Sequence, residues 1–224
     1  MSNPRKILLV NQEIYHVYNR SIDGQTIFTS KWEFSKAMQI IDYYRYSKPP
    51  IRFSQYLKLD HETSTKLYKS ISANNKPRVK ILAYCLMPNH YHFLLRQEID
   101  LGISKFISDF CNSYSKYFNI KNQRVGHLFQ GVFKNIKIDT IEQLIHTSRY
   151  IHINPVVACI VKDSEISNCL WTSLPEYLNQ KSTNICDPSL VLSQFPNQKS
   201  YLSFIQSRID YGKKIELIKH FSYD

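Results

Sequence analysis

The chain has 224 residues, 43% of them hydrophobic and 21% charged, enough for one substantial core in a globular protein. The longest apolar run near the N-terminus is "ILLV", far short of a leader's apolar stretch or a spanning helix, so the expected location is the cytoplasm, with no membrane partner. Twenty-nine Lys and Arg against 18 Asp and Glu give a net charge of +11, which favours a polyanionic partner such as nucleic acid. Five scattered cysteines without a C-x-x-C pair argue against a disulfide framework or a cysteine zinc knuckle.

In chain order, "EIYHVYN" (13–19) alternates and is rich in β-formers, which predicts a first strand. "SIDGQTIF" makes a turn, and Ser30 stands as N-cap before the helical pattern "KWEFSKAMQIIDYYRY". A polar, basic stretch follows. Between Tyr43 and Lys80 nine Lys or Arg face two acids, with Tyr43, Tyr44, Tyr46, Phe53, Tyr56 and Tyr68 among them. Cations interleaved with aromatics suit single-stranded nucleic acid. A solvated insertion with its aromatics tucked underneath fits equally well. Within it, "HETSTKLYKSI" reads as a short helix.

"RVKILAYCLM" and "HYHFLLR" form a β-hairpin across Pro88-Asn89. Apolar residues at 103, 106, 107, 110, 114, 117 and 118 then mark an amphipathic helix. "GVFKNIKI" (131–138) is a fourth strand, and "TIEQLIHTSRYIHINP" a helix capped by Thr140 or Asp139 and ended by Pro155. The order β-α-β-β-α-β predicts an α+β ferredoxin-like antiparallel sheet with helices on one face. Two further helices are expected near 187–194 and 198–220. The domain reading is a main domain over 1–160, with a basic insertion at about 45–78, and a helical C-terminal extension over 161–224.

Strand alternation puts His90 and His92 on one face, and Tyr91, Phe93 and Leu95 on the other. Two imidazoles so placed can converge on one ion, but two ligands do not complete a metal shell, and a pair of half-exposed strand histidines has the same spacing. At about 100° per residue, Ile141, Leu144, Ile145, Ser148 and Ile151 form the packing stripe of the last helix. Tyr150 falls nearly opposite, with Gln143, His146 and Asn154 on its side. A surface tyrosine is the ordinary reading of that position; an exposed nucleophile is the other. Tyr114, Tyr117 and Tyr91 fall on apolar faces and read as packing.

"AYCLMPNHYHFLL", "GHLFQGVFK" and "SRYIHINPV" resemble, in order, the signature blocks of the REP-associated tyrosine transposases, single-tyrosine transposases of the insertion-sequence-200 type. "YHVYNRSIDGQTIF" fits that family's first strand and turn, and the resemblance spans about residues 8–175. It implies a ferredoxin-like catalytic domain whose histidine pair, here His90 and His92, binds a divalent ion, Mg²⁺ or Mn²⁺. It implies Tyr150 as nucleophile and Asn154 as third ligand, at a position where glutamine is also used. The activity implied is nicking and rejoining of single-stranded DNA, hairpin-forming in this family, through a 5′-phosphotyrosine. Arg20, His127, Gln130 and Lys134 are DNA-contact candidates, His16 is a candidate for the active-site face, and a homodimer is left open. The long Tyr43–Lys80 segment departs from relatives with a shorter link there. The alternatives are a non-catalytic single-stranded nucleic-acid-binding module on the same sheet, and a hydrolase using ion-bound water.

Overall fold

The computed structural model describes residues 9–180 and 185–214. Strand β1 (Ile14–Arg20) leads through a short turn into α1 (Lys31–Tyr44), α2 (Phe53–Tyr56) and α3 (His61–Asn74). Strands β2 (Val79–Met87) and β3 (His90–Gln97) form the expected hairpin, followed by α4 (Gly102–Lys121), β4 (Lys134–Ile138) and α5 (Ile141–Val157). Beyond these lie α6 (Leu174–Tyr177), α7 (Ser189–Leu192) and α8 (Gln198–Gln206). The sheet order is β2-β3-β1-β4, the order of a split β-α-β pair of units, and the α+β antiparallel architecture expected from the element order is the one found. Among the described residues no helix is long and apolar enough to cross a membrane.

Three boundaries differ from the sequence expectation. Strand β4 starts at Lys134 rather than 131, because Gly131 has no side chain to pack and the backbone bends until Phe133 is buried. Helix α5 runs through Pro155 to Val157. A proline in the last turn forfeits only its own N–H bond, and Ala158 N–H still closes onto the Asn154 carbonyl at 3.0 Å. The helix expected over 198–220 breaks after Gln206 and resumes over 209–214; its remaining residues lie outside those described, as do 181–184.

The chain groups into two compact units. One takes in Met1–Lys80, Pro88–His90 and Leu95–Lys137; the other takes in Ile81–Met87, Tyr91–Leu94 and everything from Ile138. In the first, α1 packs on α4, with Phe28 and Tyr114 in ring contact at 4.8 Å and the Tyr114 hydroxyl donating to the Ile27 carbonyl. The aromatics of the basic stretch are folded inward. Tyr43, Tyr44 and Phe53 are buried, and the Tyr43 and Tyr56 rings lie 4.9 Å apart. An antiparallel bridge between Tyr46 and Pro77 closes the excursion at its base. Tyr43, Tyr44 and Phe53 are thus packing, while Tyr46, Tyr56 and Tyr68 stay partly exposed.

Gly102 opens α4 where its α-carbon meets the Arg78 backbone; a β-carbon there would lie 2.2 Å from the Arg78 carbonyl oxygen. The other end of the α1–α4 pair is tied by Glu33. Ser30 and Glu33 form a reciprocal capping box on α1. The buried carboxylate also accepts from Thr29 N–H at 2.8 Å and from the Thr29 hydroxyl, and pairs with Lys121 at 2.6 Å. Burial alone would raise its pKa, but these donors together lower it from 4.5 to about 2. The folded state therefore binds this proton less readily than the unfolded chain. The stability it brings is complete above about pH 4.5 and lost as pH falls through about 2. Glu33→Gln is expected to lower stability by about 1–3 kcal/mol at neutral pH. It should also flatten the acid limb of the melting temperature across that window, read by thermal melts at stepped pH. An unchanged acid limb would move the effect to another carboxylate.

Candidate active site

The site begins with a backbone register. Gln97 N–H bonds to the Glu13 carbonyl at 3.1 Å at one end of β1–β3, and Ser21 N–H bonds to the Asn89 carbonyl at 2.8 Å at the other. Both bonds belong to the same antiparallel register, in which Arg20 lies directly opposite His90 on the same face. Along β1, Tyr15, Val17 and Asn19 on one face are all buried, whereas the other face runs from buried His16 through half-buried Tyr18 to exposed Arg20.

The turn after β1 is stitched to the turn before His90. Ile27 and Phe28 N–H groups both reach the Pro88 carbonyl, at 2.6 and 3.0 Å. Gly24, at φ +65°, turns its carbonyl to the Asn89 side-chain amide at 3.3 Å. That bond orients the amide so that its oxygen meets His90 Nδ1 at 2.7 Å. The Nδ1 nitrogen then carries the proton, leaving the lone pair on Nε2. Sequence reasoning treated Asn89 only as a turn residue; its place immediately before His90 was the signal.

The second unit holds His92, Tyr150 and Asn154. His92 is only 5% exposed, which removes the reading of a half-exposed strand histidine. Its ring meets the Tyr150 ring edge-on, with centroids 5.4 Å apart at 86°. Tyr150 itself is 48% exposed, so it touches the buried imidazole while remaining open to a large substrate. Asn154, one turn further along α5, has a buried side-chain nitrogen with no hydrogen-bond partner among the described residues. An unpaired amide in such a place is costly unless something absent from the free protein uses it.

Helix α5 is placed by its cap, since Thr140 accepts from Gln143 N–H at 3.1 Å and Gln143 in turn accepts from Asp139 N–H at 2.7 Å. Leu144, Ser148 and Ile151 are buried as expected, whereas Ile141 at the first position is 51% exposed. His146 turns away from Tyr150, bonding to Arg149 at 2.6 Å and packing on Phe204. His152 went unnoticed in the sequence and is fully buried; burial lowers its pKa to about 3, so it is neutral at working pH.

Of the DNA-contact candidates, Gln130 is joined to the end of β1, its N–H bonding to the Arg20 carbonyl at 2.8 Å and its carbonyl accepting from the Asn19 amide at 2.8 Å. His127, Gln130 and Lys134 are exposed, Lys134 at the start of β4. His16 lies on the same face of β1 as Arg20, nine-tenths buried beside the Tyr18 ring, its pKa lowered by burial to about 4. Among the other tyrosines, Tyr91 and Tyr114 are fully buried and the Tyr117 hydroxyl is enclosed.

The donor set has two histidines and an amide. Among the described residues no group of three or more His, Cys, Asp or Glu is gathered, so a metal here relies on a neutral oxygen as its third protein ligand. His90 carries a pre-oriented imidazole and, in the second unit, Asn154 carries an amide oxygen; both are donor types that such an ion accepts. Imidazole leans towards Mn²⁺ or softer divalent ions, while carbonyl, phosphate and water oxygens would let Mg²⁺ serve.

Residues 54–154 match the family model described as "Transposase IS200 like". The match takes in the hairpin, α4, β4 and α5 as far as Asn154. More particularly, a solved structure of a REP-associated tyrosine transposase bound to a REP hairpin superposes with a TM-score of 0.53. It shares 15% sequence identity, and the alignment covers 84% of this chain and 90% of that one. At that identity the likeness speaks to the fold. No curated protein matches the sequence.

Replacing Asn154 by leucine, which removes the unpaired amide, is expected to stabilise the metal-free protein by about 1–3 kcal/mol. For a chain of this size that is a rise of about 2–4 °C per kcal/mol. A lower melting temperature would mean that the amide is satisfied in solution.

Proposed function

We propose that the protein nicks and rejoins single-stranded DNA, hairpin-forming by analogy with the neighbour's ligand, using Tyr150 as nucleophile. The observation carrying this reading is the pairing of an exposed tyrosine with a buried histidine, one turn from an unpaired buried amide. The Tyr150 oxygen attacks the scissile phosphorus as the bond to the 3′ oxygen breaks. The phenolic proton is lost to the medium and the departing oxygen leaves as a 3′-OH. The phosphotyrosine conserves the energy of the broken bond, so a 3′-OH from another strand can reverse the step and rejoin DNA.

His90, His92 and Asn154 would hold the divalent ion, Mg²⁺ or Mn²⁺. When bound it supplies charge neutralisation at a phosphate oxygen and a fixed orientation for the phosphate. Asn89 accepts from His90 Nδ1–H and so favours the tautomer with the lone pair on Nε2. Tyr150 is kept by His92 at the end of an otherwise apolar contact, exposed to the strand. Arg20, opposite His90, and the exposed His127, Gln130 and Lys134 offer groups for phosphates and bases beside the attack site. On this reading residues 1–160 are the catalytic domain and 161–224 its extension.

The test is to incubate the protein and Mn²⁺ with a pool of single-stranded DNA hairpins carrying randomised flanks, then look for an adduct that survives denaturation. Wild type should form it and Tyr150→Phe should not. An adduct with Tyr150→Phe transfers the role to another residue. Cleavage without any adduct indicates attack by water, and retention of DNA without cleavage leaves a binding module. Separately, Asn89→Ala should weaken Mn²⁺ binding by about 10–100-fold while the protein stays folded, as loss of an orienting partner does at other histidine sites. Electron paramagnetic resonance of free Mn²⁺ measures this directly, and unchanged affinity would remove Asn89 from the site.

A further inference from the structure

Within the second unit, two buried polar residues on the face of α5 turned away from Tyr150, Ser148 and His152, are hydrogen-bonded to the segment after residue 170. His152 Nδ1 meets the Tyr201 hydroxyl at 2.8 Å and its Nε2 meets the Ser173 hydroxyl at 2.7 Å. The Tyr201 hydroxyl donates to Ser148 Oγ at 3.0 Å, and Ser148 itself donates to the Ile145 carbonyl at 2.8 Å. Ser173 Oγ accepts from Tyr84 N–H in β2 at 2.9 Å, and the Tyr84 hydroxyl donates to Glu176 at 2.8 Å. His152, Tyr201, Ser148 and Ser173 are all fully enclosed.

A core needs none of this. Apolar side chains of the same volume would fill the space at no cost in unpaired polar atoms. What a buried hydrogen-bond network adds over apolar packing is a single angular setting, because each bond has a narrow geometry. The helix is also gripped along its length. Arg149 lies over the Phe204 ring at 4.1 Å, and Gly212 packs so closely on Val157 that a β-carbon would come within 2.7 Å of it. Ser148 and His152 share one side of α5, and Tyr150 is about 160–200° round the helix from both. A rotation of the helix permitted by a loose network would therefore swing Tyr150 by the same angle.

We propose that Ser148, His152, Ser173 and Tyr201 are positioning residues, which set the rotation of α5 so that Tyr150 rests against His92. The C-terminal segment is on this account a part of the catalytic apparatus. The inference rests on the role proposed for Tyr150, and its test separates the two.

The variants are Tyr201→Phe, which deletes one hydroxyl, and Ser148→Ala, which deletes the link on the α5 side. Single-turnover adduct formation is followed with saturating Mn²⁺ and a hairpin that wild type cleaves. The observed rate constant is expected to fall about 10–100-fold, with DNA affinity unchanged and the final adduct yield close to that of wild type. A purely structural role would instead lower the yield in proportion to the unfolded fraction and leave the rate constant alone; that result overturns the proposal. A second reading does not depend on activity. With 3-fluorotyrosine at position 150, wild type should give one sharp ¹⁹F resonance, and Tyr201→Phe a shifted or broadened one. If wild type forms no adduct with any hairpin, the function proposed for Tyr150 falls. The network is then judged on the fluorine signal, where an unchanged resonance overturns it.

Discussion

The register of β1 against β3 is the constraint on which the site depends. It is held by backbone bonds at both ends, Glu13 with Gln97 and Ser21 with Asn89. A slip of one residue would exchange the faces of the strand, sending His90 and His92 to the side of Tyr91 and Phe93. Those two aromatics and Leu95 are fully buried, so the slip would also expose three large apolar side chains. At about 1.5–3 kcal/mol for each, hydrophobic burial alone holds the histidines where they are. The same register delivers Arg20 opposite His90 and brings the turn after β1 under the turn that carries Asn89. The chemistry of the site is thus positioned by residues that take no part in it.

Much of this was legible in the sequence, for physical reasons that differ from residue to residue. Alternation along "HYHFLL" and the 3.6-residue rhythm of α1, α4 and α5 are local properties, so the strands, the helices and the exposed setting of Tyr150 could be read directly. The capping signals at Ser30 and Thr140 were legible for the same reason. What could not be read depends on long-range partners. The Asn89 contact to His90 is local, but the orientation of its amide is set by Gly24, 65 residues earlier. His152 looks in the sequence like another polar residue of α5; only Ser173 and Tyr201 give it a place in the core. The aromatics between Tyr43 and Tyr68 could equally have been a stacking surface, and the tertiary packing of Tyr43 on Phe53 and Tyr56 decided for the core. The end of α5 was misjudged because a proline in the final turn costs so little.

The two polar residues on opposite sides of α5 show how burial separates function from architecture. His152 is enclosed and both ring nitrogens are bonded, so its desolvation is offset within the free protein. The Asn154 amide is enclosed and unbonded among the described residues, so its cost is borne by the fold. A satisfied polar group specifies a structure, whereas an unsatisfied one specifies a ligand. Both lie within two residues of one another on one helix, and both lie within two turns of Tyr150.

This division also explains why Tyr150 is left half exposed. On the function proposed for Tyr150, a nucleophile that must reach a phosphate inside a DNA strand cannot sit in a closed pocket, yet a tyrosine free to sample its rotamers would rarely be aligned for in-line attack. Edge-on contact with a buried imidazole restrains one flank of the ring, while the residue as a whole stays about half exposed. The restraint is only as firm as the helix beneath it, and on the proposal above that firmness is reinforced from the far face by bonds to Ser173 and Tyr201 of the C-terminal segment. The exposure of the tyrosine and the burial of the histidine two residues later are in this sense one design problem, solved on opposite sides of one helix.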